Sequence, residues 1–241
     1  NSSYSFWLEN IMFKRLITLF KLGRKLAKSD ALTIVSKFNK PPLLVTVIFK
    51  LLSFSFKKKD MSFDNLSEGE KLSNSLASMG TTFIKLGQFL ATRPDIIGDG
   101  LSKELESLQD KLPPFSQSKA KEMIRNDLGD EIYNSIINIS EPVAAASIAQ
   151  VHKAQIDDNG VIKDVAIKIL RPDIKKIFNE EVDALMLFAF IIESLIKKTK
   201  RLKLVEVVFL LKEITSLEMD LRFEAAAANE YAENTKNDLG F

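Results

Sequence analysis

The residue best placed to do chemistry is Lys168. It closes the tetrapeptide Val165-Ala166-Ile167-Lys168, in which Val165, Ile167 and Ile169 alternate with Ala166 and Lys168. That is the period-2 pattern of a half-buried strand. The lysine therefore points away from the apolar side chains, beside a small residue that leaves room for a ligand. Upstream, Asp158-Asn159-Gly160 supplies a tight turn, because Asn and Gly tolerate the positive φ angles that a short hairpin demands. Ahead of the turn, residues 142–157 read as a small alanine-rich loop followed by the hairpin's first strand. A plain hairpin with a solvated lysine has the same pattern, so the spacing alone leaves both readings open.

A lysine in Val-Ala-Ile-Lys is also a mark of the protein-kinase nucleotide lobe, where it meets phosphates and a glutamate on a following helix. Kinases place a glycine-rich loop upstream so that backbone can approach the phosphates. Here Ala144-Ala145-Ala146-Ser147 stands in that place, small enough for close approach but less free in its dihedrals. Two other groups invite attention. Lys85 and Gln88 are spaced i, i+3, on one face of an expected helix. Between them Gly87 costs a helix about 1 kcal/mol, which close approach of another element would explain. Glu218, Asp220 and Glu224 fall within two expected helical turns, with Asp220 and Glu224 on one face at i, i+4 and Glu218 to one side. They form either a solvated acidic stripe or a surface facing cations.

The elements that would position these residues are mostly helical. A helix is expected from Leu66, with Ser67 and Glu70 at capping-box spacing, to Arg93-Pro94-Asp95, where proline ends it. A short helix over Leu101–Asp110 carries Leu101, Leu105 and Leu108 on one side and stops before Pro113-Pro114. Another over Lys119–Leu128 is finished by Gly129 as its cap. After the hairpin, Arg171-Pro172-Asp173 ends the second strand. Two helical stretches follow, about 174–199 and 204–234, separated by the basic segment Lys197–Lys203.

The 241 residues suffice for one large or two small domains with a real core. There is no cysteine, which excludes disulfides and thiolate metal sites and suits a reducing compartment. Charge is unevenly placed: residues 1–60 hold 12 Lys and Arg against 3 Asp and Glu, the remainder 22 against 29. Within residues 4–28, Phe6, Trp7, Ile11, Leu16, Leu19, Phe20 and Leu22 recur at helical spacing, with Lys14, Arg15, Lys21, Arg24, Lys25 and Lys28 as the cationic complement. This predicts an amphipathic helix for an anionic membrane interface, each cation adding roughly 1 kcal/mol; docking on the protein's own body is the alternative. Leu43–Phe56 is apolar but shorter than the ~20 residues a span needs, so a peripheral position on the cytoplasmic face of a membrane is expected. The basic residues interleave with apolar ones and no base-reading motif follows, so no nucleic-acid partner is expected.

Taken in order, these segments resemble the UbiB family of atypical kinase-like proteins (AarF- or ABC1-type), associated with ubiquinone biosynthesis. The residues that carry the resemblance are Phe83-Ile84-Lys85-Leu86-Gly87-Gln88, similar to the family's KxGQ signature; Thr92-Arg93-Pro94-Asp95; Leu108-Gln109-Asp110 with Pro113-Pro114; Ala144 to His152; Val165-Ala166-Ile167-Lys168; and Glu218-Met219-Asp220 with Glu224 and Asn229. The resemblance implies an α+β fold, mostly helical overall: a kinase-like N-terminal lobe with a small antiparallel sheet, preceded by a helical extension. The expected divisions are a membrane-proximal segment (1–60), a KxGQ-type extension (61–131) and a nucleotide-binding lobe (132–241).

The resemblance further implies ATP as ligand. The stretch Val143, Ala144, Ala145, Ala146, Ser147, Ile148, Ala149, Gln150 and Val151 would cover the nucleotide, Lys168 would contact its phosphates, and Glu224 would pair with Lys168. Lys85 and Gln88 would be regulatory, facing Glu218 and Asp220 and closing the place where a kinase takes peptide. Small molecules such as prenylated quinone precursors, or other ubiquinone-biosynthesis proteins, would then be the partners. No histidine follows His152, so HxD and DFG motifs are not found in these residues. Catalytic residues and metal ligands are therefore expected in none of them, Mg²⁺ would come only with a second lobe, and the chain is expected to be inactive alone. A truncated, membrane-associated interaction module is the alternative. His152 itself is read as a structural strand residue.

Overall fold

In a computed structural model, residues 13, 17, 18, 20–24, 68–106, 108, 112–195 and 197–238 are described. The possible cap at Ser67, the Leu43–Phe56 stretch and most of the amphipathic segment lie outside them. Of that segment, residues 13, 17, 18 and 20–24 are helical, with Phe13, Ile17 and Phe20 exposed and Leu22 buried. Among the described residues no helix is long and apolar enough to cross a membrane.

The chain divides into two compact units, one running to Asp110 and including Lys176–Lys212, the other formed by Lys111–Lys175 and Glu213–Phe241. The first unit is helical. α1 (Glu68–Met79) and α2 (Thr81–Ala91) replace the single helix expected over 66–93. The break falls at Gly80, whose φ of 106° lies outside the helical region and suits only glycine comfortably. α3 (Pro94–Ile97) starts on proline at its first position, where a missing N–H costs nothing. α4 (Asp99–Glu106) is shorter than the expected 101–110, but Leu101, Leu105 and Leu108 are all buried. Buried Leu72, Leu76, Met79, Phe83 and Ile84 supply the facing surfaces of α1 and α2, and these two helices and α4 touch pairwise.

The second unit is built on α5 (Gln117–Ser135) and three antiparallel strands in the order β1 (Ile136–Ala145), β2 (Ala149–Asp158) and β3 (Val161–Leu170). The Ser116 side chain caps α5 by accepting the Lys119 N–H at 3.3 Å. Gly129, with φ 81°, interrupts the helix as expected, but the chain resumes helical geometry to Ser135, so the glycine kinks α5 and does not end it. The expected two-stranded hairpin is a three-stranded meander. β1 escapes a reading from pattern because Pro142 sits inside it, and proline suits only an edge strand, which β1 is. The β2–β3 turn is as expected, with Asn159 and Gly160 both at positive φ (54° and 85°). Ala120 and Ile124 of α5 pack with Ile169, joined by Ile136, Ile139 and Ile167, so α5 covers one face of the sheet.

β3 ends before Arg171-Pro172-Asp173, and α6 (Ile174–Leu195) follows. A 3₁₀ turn (Lys197–Leu202) leads to α7 (Leu204–Glu218), and α8 (Leu221–Thr235) completes the described chain. Lys212 Nζ meets Asp183 Oδ1 at 3.0 Å, and the Glu193 side chain accepts the Val205 N–H at 3.2 Å, tying α7 to α6. The helix expected over 204–234 is thus broken at Met219-Asp220. Asp220 is the N-cap of α8, and the i, i+4 relation expected between Asp220 and Glu224 on one helical face does not hold.

Candidate functional site

Register on the sheet sorts the candidate residues by face. Ala144 pairs with Val151, and Val151 with Lys168. Directly opposed residues in antiparallel strands share a face, so Ala144, Val151 and Lys168 form one row across the three strands. Two strand spacings separate its ends by about 10 Å. The neighbouring row, Ala145, Gln150 and Ile169, points to the opposite face, toward α5. Burial agrees: Ala144 and Lys168 are exposed and Val151 is half-buried, whereas Gln150 and Ile169 are buried. Val143 is exposed; in the turn between β1 and β2 Ala146 is half-buried and Ser147 and Ile148 are buried, as is Ala149 at the start of β2.

Lys168 Nζ lies 2.8 and 2.6 Å from the two carboxylate oxygens of Glu224, in the first turn of α8. The start of that helix fixes where Glu224 points. Asp220 accepts the Arg222 backbone N–H at 3.2 Å and grips the Arg222 guanidinium at 2.8 and 2.5 Å. That hydrogen-bonded guanidinium, with Lys175 adding a smaller attraction, holds the Asp220 carboxyl down at about 2. A cavity of about 320 Å³ is lined by Ile124, Ile167, Ile169 and Met219 together with Asp127, Lys168, Lys175, Asp220 and Arg222. Lys175 and Arg222 were not singled out from sequence. Both stand second in a helix, where a cation opposes the helix dipole, so no sequence signal marks them.

Gln150 and His152 serve the protein's interior. Both are fully buried. The Gln150 amide accepts the Phe115 N–H at 3.0 Å and donates to the Phe115 carbonyl at 3.3 Å. Its Nε2 also lies 2.9 Å from His152 Nε2, and His152 Nδ1 lies 2.8 Å from the Ser140 carbonyl. Phe115 fixes which way the amide faces, so His152 accepts through Nε2 and donates through Nδ1–H. The structural role expected for His152 is the one it has.

Lys85 and Gln88 are half-buried on α2 in the first unit; Glu218, exposed at the end of α7, and Asp220 belong to the second. Gly87 shows the expected close approach: a Cβ there would stand 2.5 Å from Leu108 Cδ2 and 2.9 Å from Leu76 Cδ1. In the first unit, Arg93 and Asp95 form a bidentate pair at 2.8 and 2.7 Å.

A strand lysine held by a helix glutamate, on a small antiparallel sheet backed by a helix, defines the N-terminal lobe of a kinase-like protein. Residues 107–241, more than half of the chain, match the model of the ABC1 atypical kinase-like domain. The chain belongs to that family. It is 37% identical over 173 residues to the probable protein kinase UbiB of Marinobacter nauticus, covering 71% of this chain and 31% of that protein. To the probable protein kinase UbiB of Shewanella pealeana it is 34% identical over 195 residues, 80% of this chain and 35% of the relative. The chain therefore spans about a third of the length of the curated relatives it matches.

Proposed function

We propose that this chain is the ATP-binding portion of a UbiB-type kinase-like protein, acting in ubiquinone biosynthesis on a lipid or small molecule and not on protein substrates. The Lys168–Glu224 pair carries the reading. A lysine held by a carboxylate, exposed on the face that also presents Ala144, is a preorganised cation for a nucleotide phosphate. The row from Ala144 through Val151 to Lys168 gives the loop and the lysine a common side from which to approach one ligand. ATP would bring its phosphates to Lys168, with the backbone of residues 143–149 beside them. Mg²⁺ would arrive on the nucleotide, with ligands supplied by a second lobe of the kind the family resemblance implies. Lys85 and Gln88 would be regulatory, the role that the family resemblance implies.

A membrane surface is the proposed location. Exposed Phe13, Ile17 and Phe20 recur at i, i+4 and i+7 in a segment rich in Lys and Arg, which suits insertion among anionic headgroups.

Equilibrium titration of the 241-residue chain with ATP tests the central reading. Saturable binding that Lys168→Met weakens is the expected result; no binding at millimolar ATP would remove the nucleotide site. Co-sedimentation with anionic vesicles, compared with neutral ones, tests the location.

A further inference from the structure

We infer that Arg171 is the residue that holds the alanine loop at a fixed distance from Lys168, a positioning role that rests on the nucleotide reading above. Its guanidinium donates to the Ala146 carbonyl twice, through Nε at 2.9 Å and Nη2 at 2.8 Å. The same group reaches the Pro113 carbonyl at 3.0 Å and the Leu112 carbonyl at 3.2 Å. The Arg171 backbone N–H donates to Ile148 O at 2.8 Å, and inside the loop the Ala146 N–H donates to Ala149 O at 2.8 Å. The turn between β1 and β2 is thus tied at Ala146, Ile148 and Ala149.

The placement of these bonds matters as much as their number. Arg171 follows directly on β3 and stands three residues beyond Lys168. One short piece of backbone therefore presents both the proposed phosphate cation and the clamp on the proposed phosphate loop. A loop built from alanine is stiffer than one built from glycine, and a clamp at its base removes most of the remaining freedom before a ligand arrives. The Leu112–Phe115 segment is drawn into the same arrangement, since Gln150 holds Phe115 while Arg171 holds Leu112 and Pro113. Arginine reaches the three carbonyls with four bonds from a rigid, extended fork, a pattern that the single ammonium of lysine does not reproduce.

The test compares ATP with adenosine on the full chain and on Arg171→Met and Arg171→Lys, with backbone amide exchange at Ala146 as a readout independent of any ligand. Loss of the clamp is expected to weaken ATP about tenfold, the scale of one hydrogen bond to a charged group, and to speed exchange of the Ala146 amide. Adenosine, which has no phosphates for the loop to cover, is expected to bind equally well to all three proteins. Arg171→Lys is expected to fall between the other two, and it carries the comparison if Arg171→Met does not fold. An equal loss of ATP and adenosine would overturn the proposal, because it would report general damage; so would unchanged ATP affinity in Arg171→Met. If the unsubstituted chain binds no ATP, the nucleotide reading fails by itself. The exchange rate then decides the clamp: faster exchange at Ala146 keeps it, and an unchanged rate overturns it.

Discussion

Lys168 on β3 and Glu224 on α8 are 56 residues apart in sequence, yet the lysine amine meets both oxygens of the carboxylate. Their side chains are 36% and 59% exposed, and an ion pair in that environment contributes only about 0–1 kcal/mol to stability. The pair therefore does little for the fold, and its proposed role is to hold the amine for a nucleotide phosphate.

The two roles separate in one variant. Glu224→Gln should change the free energy of unfolding in urea by less than about 1 kcal/mol, while weakening ATP several-fold because the amine is no longer held in one orientation. Calorimetric titration and chemical unfolding of the same sample make the comparison. A large stability loss with unchanged ATP affinity would reverse the assignment.

What was legible in the sequence is what is settled locally. Asn159-Gly160 can form few turns other than the one observed, and the alternation from Val165 to Ile169 fixes the face of Lys168. β1 was not legible, since Pro142 argues against a strand unless its edge position is known. The break at Asp220 was hidden by good helix formers on both sides, although an aspartate one position ahead of a helical run is a standard cap signal. Gln150 shows the deeper limit. Its motif groups it with the loop, and only tertiary contact with Phe115, 35 residues away, shows that its amide faces the interior.

Thr82 is fully buried, and its hydroxyl oxygen meets no hydrogen-bond partner among the described residues. A desolvated hydroxyl without a partner costs roughly 1–3 kcal/mol. Thr82→Val keeps the shape and removes the polar atom, so it should raise stability by about 1 kcal/mol. An upward shift of the thermal midpoint is the expected result, and a downward shift would mean that the hydroxyl is satisfied in solution.

Gly87 faces the opposite balance. Alanine would gain about 1 kcal/mol of helix propensity, but its methyl would collide with Leu108 and Leu76, both buried. Overpacking of this kind costs about 1–3 kcal/mol. Gly87→Ala should therefore lower stability by about 1 kcal/mol, with Lys85 and Gln88 displaced along with α2. A stabilised variant in urea unfolding would show that the two leucines yield freely.

Asp220 links the start of α8 to pH. Its carboxyl titrates at about 2, below the ordinary 3.8, because the charged form accepts hydrogen bonds from the Arg222 guanidinium and backbone. A folded-state value below the unfolded one means that the stabilisation is complete above about pH 4 and is lost as pH falls through about 2. In that window the cap weakens, and Glu224, one turn into the helix, loses its fixed position. Following the Asp220 side-chain carboxyl carbon by NMR should give a midpoint near 2 in the unsubstituted chain. Arg222→Gln should raise it toward the ordinary value. A midpoint already near 3.8 with Arg222 intact would show that the guanidinium does not hold the cap in solution.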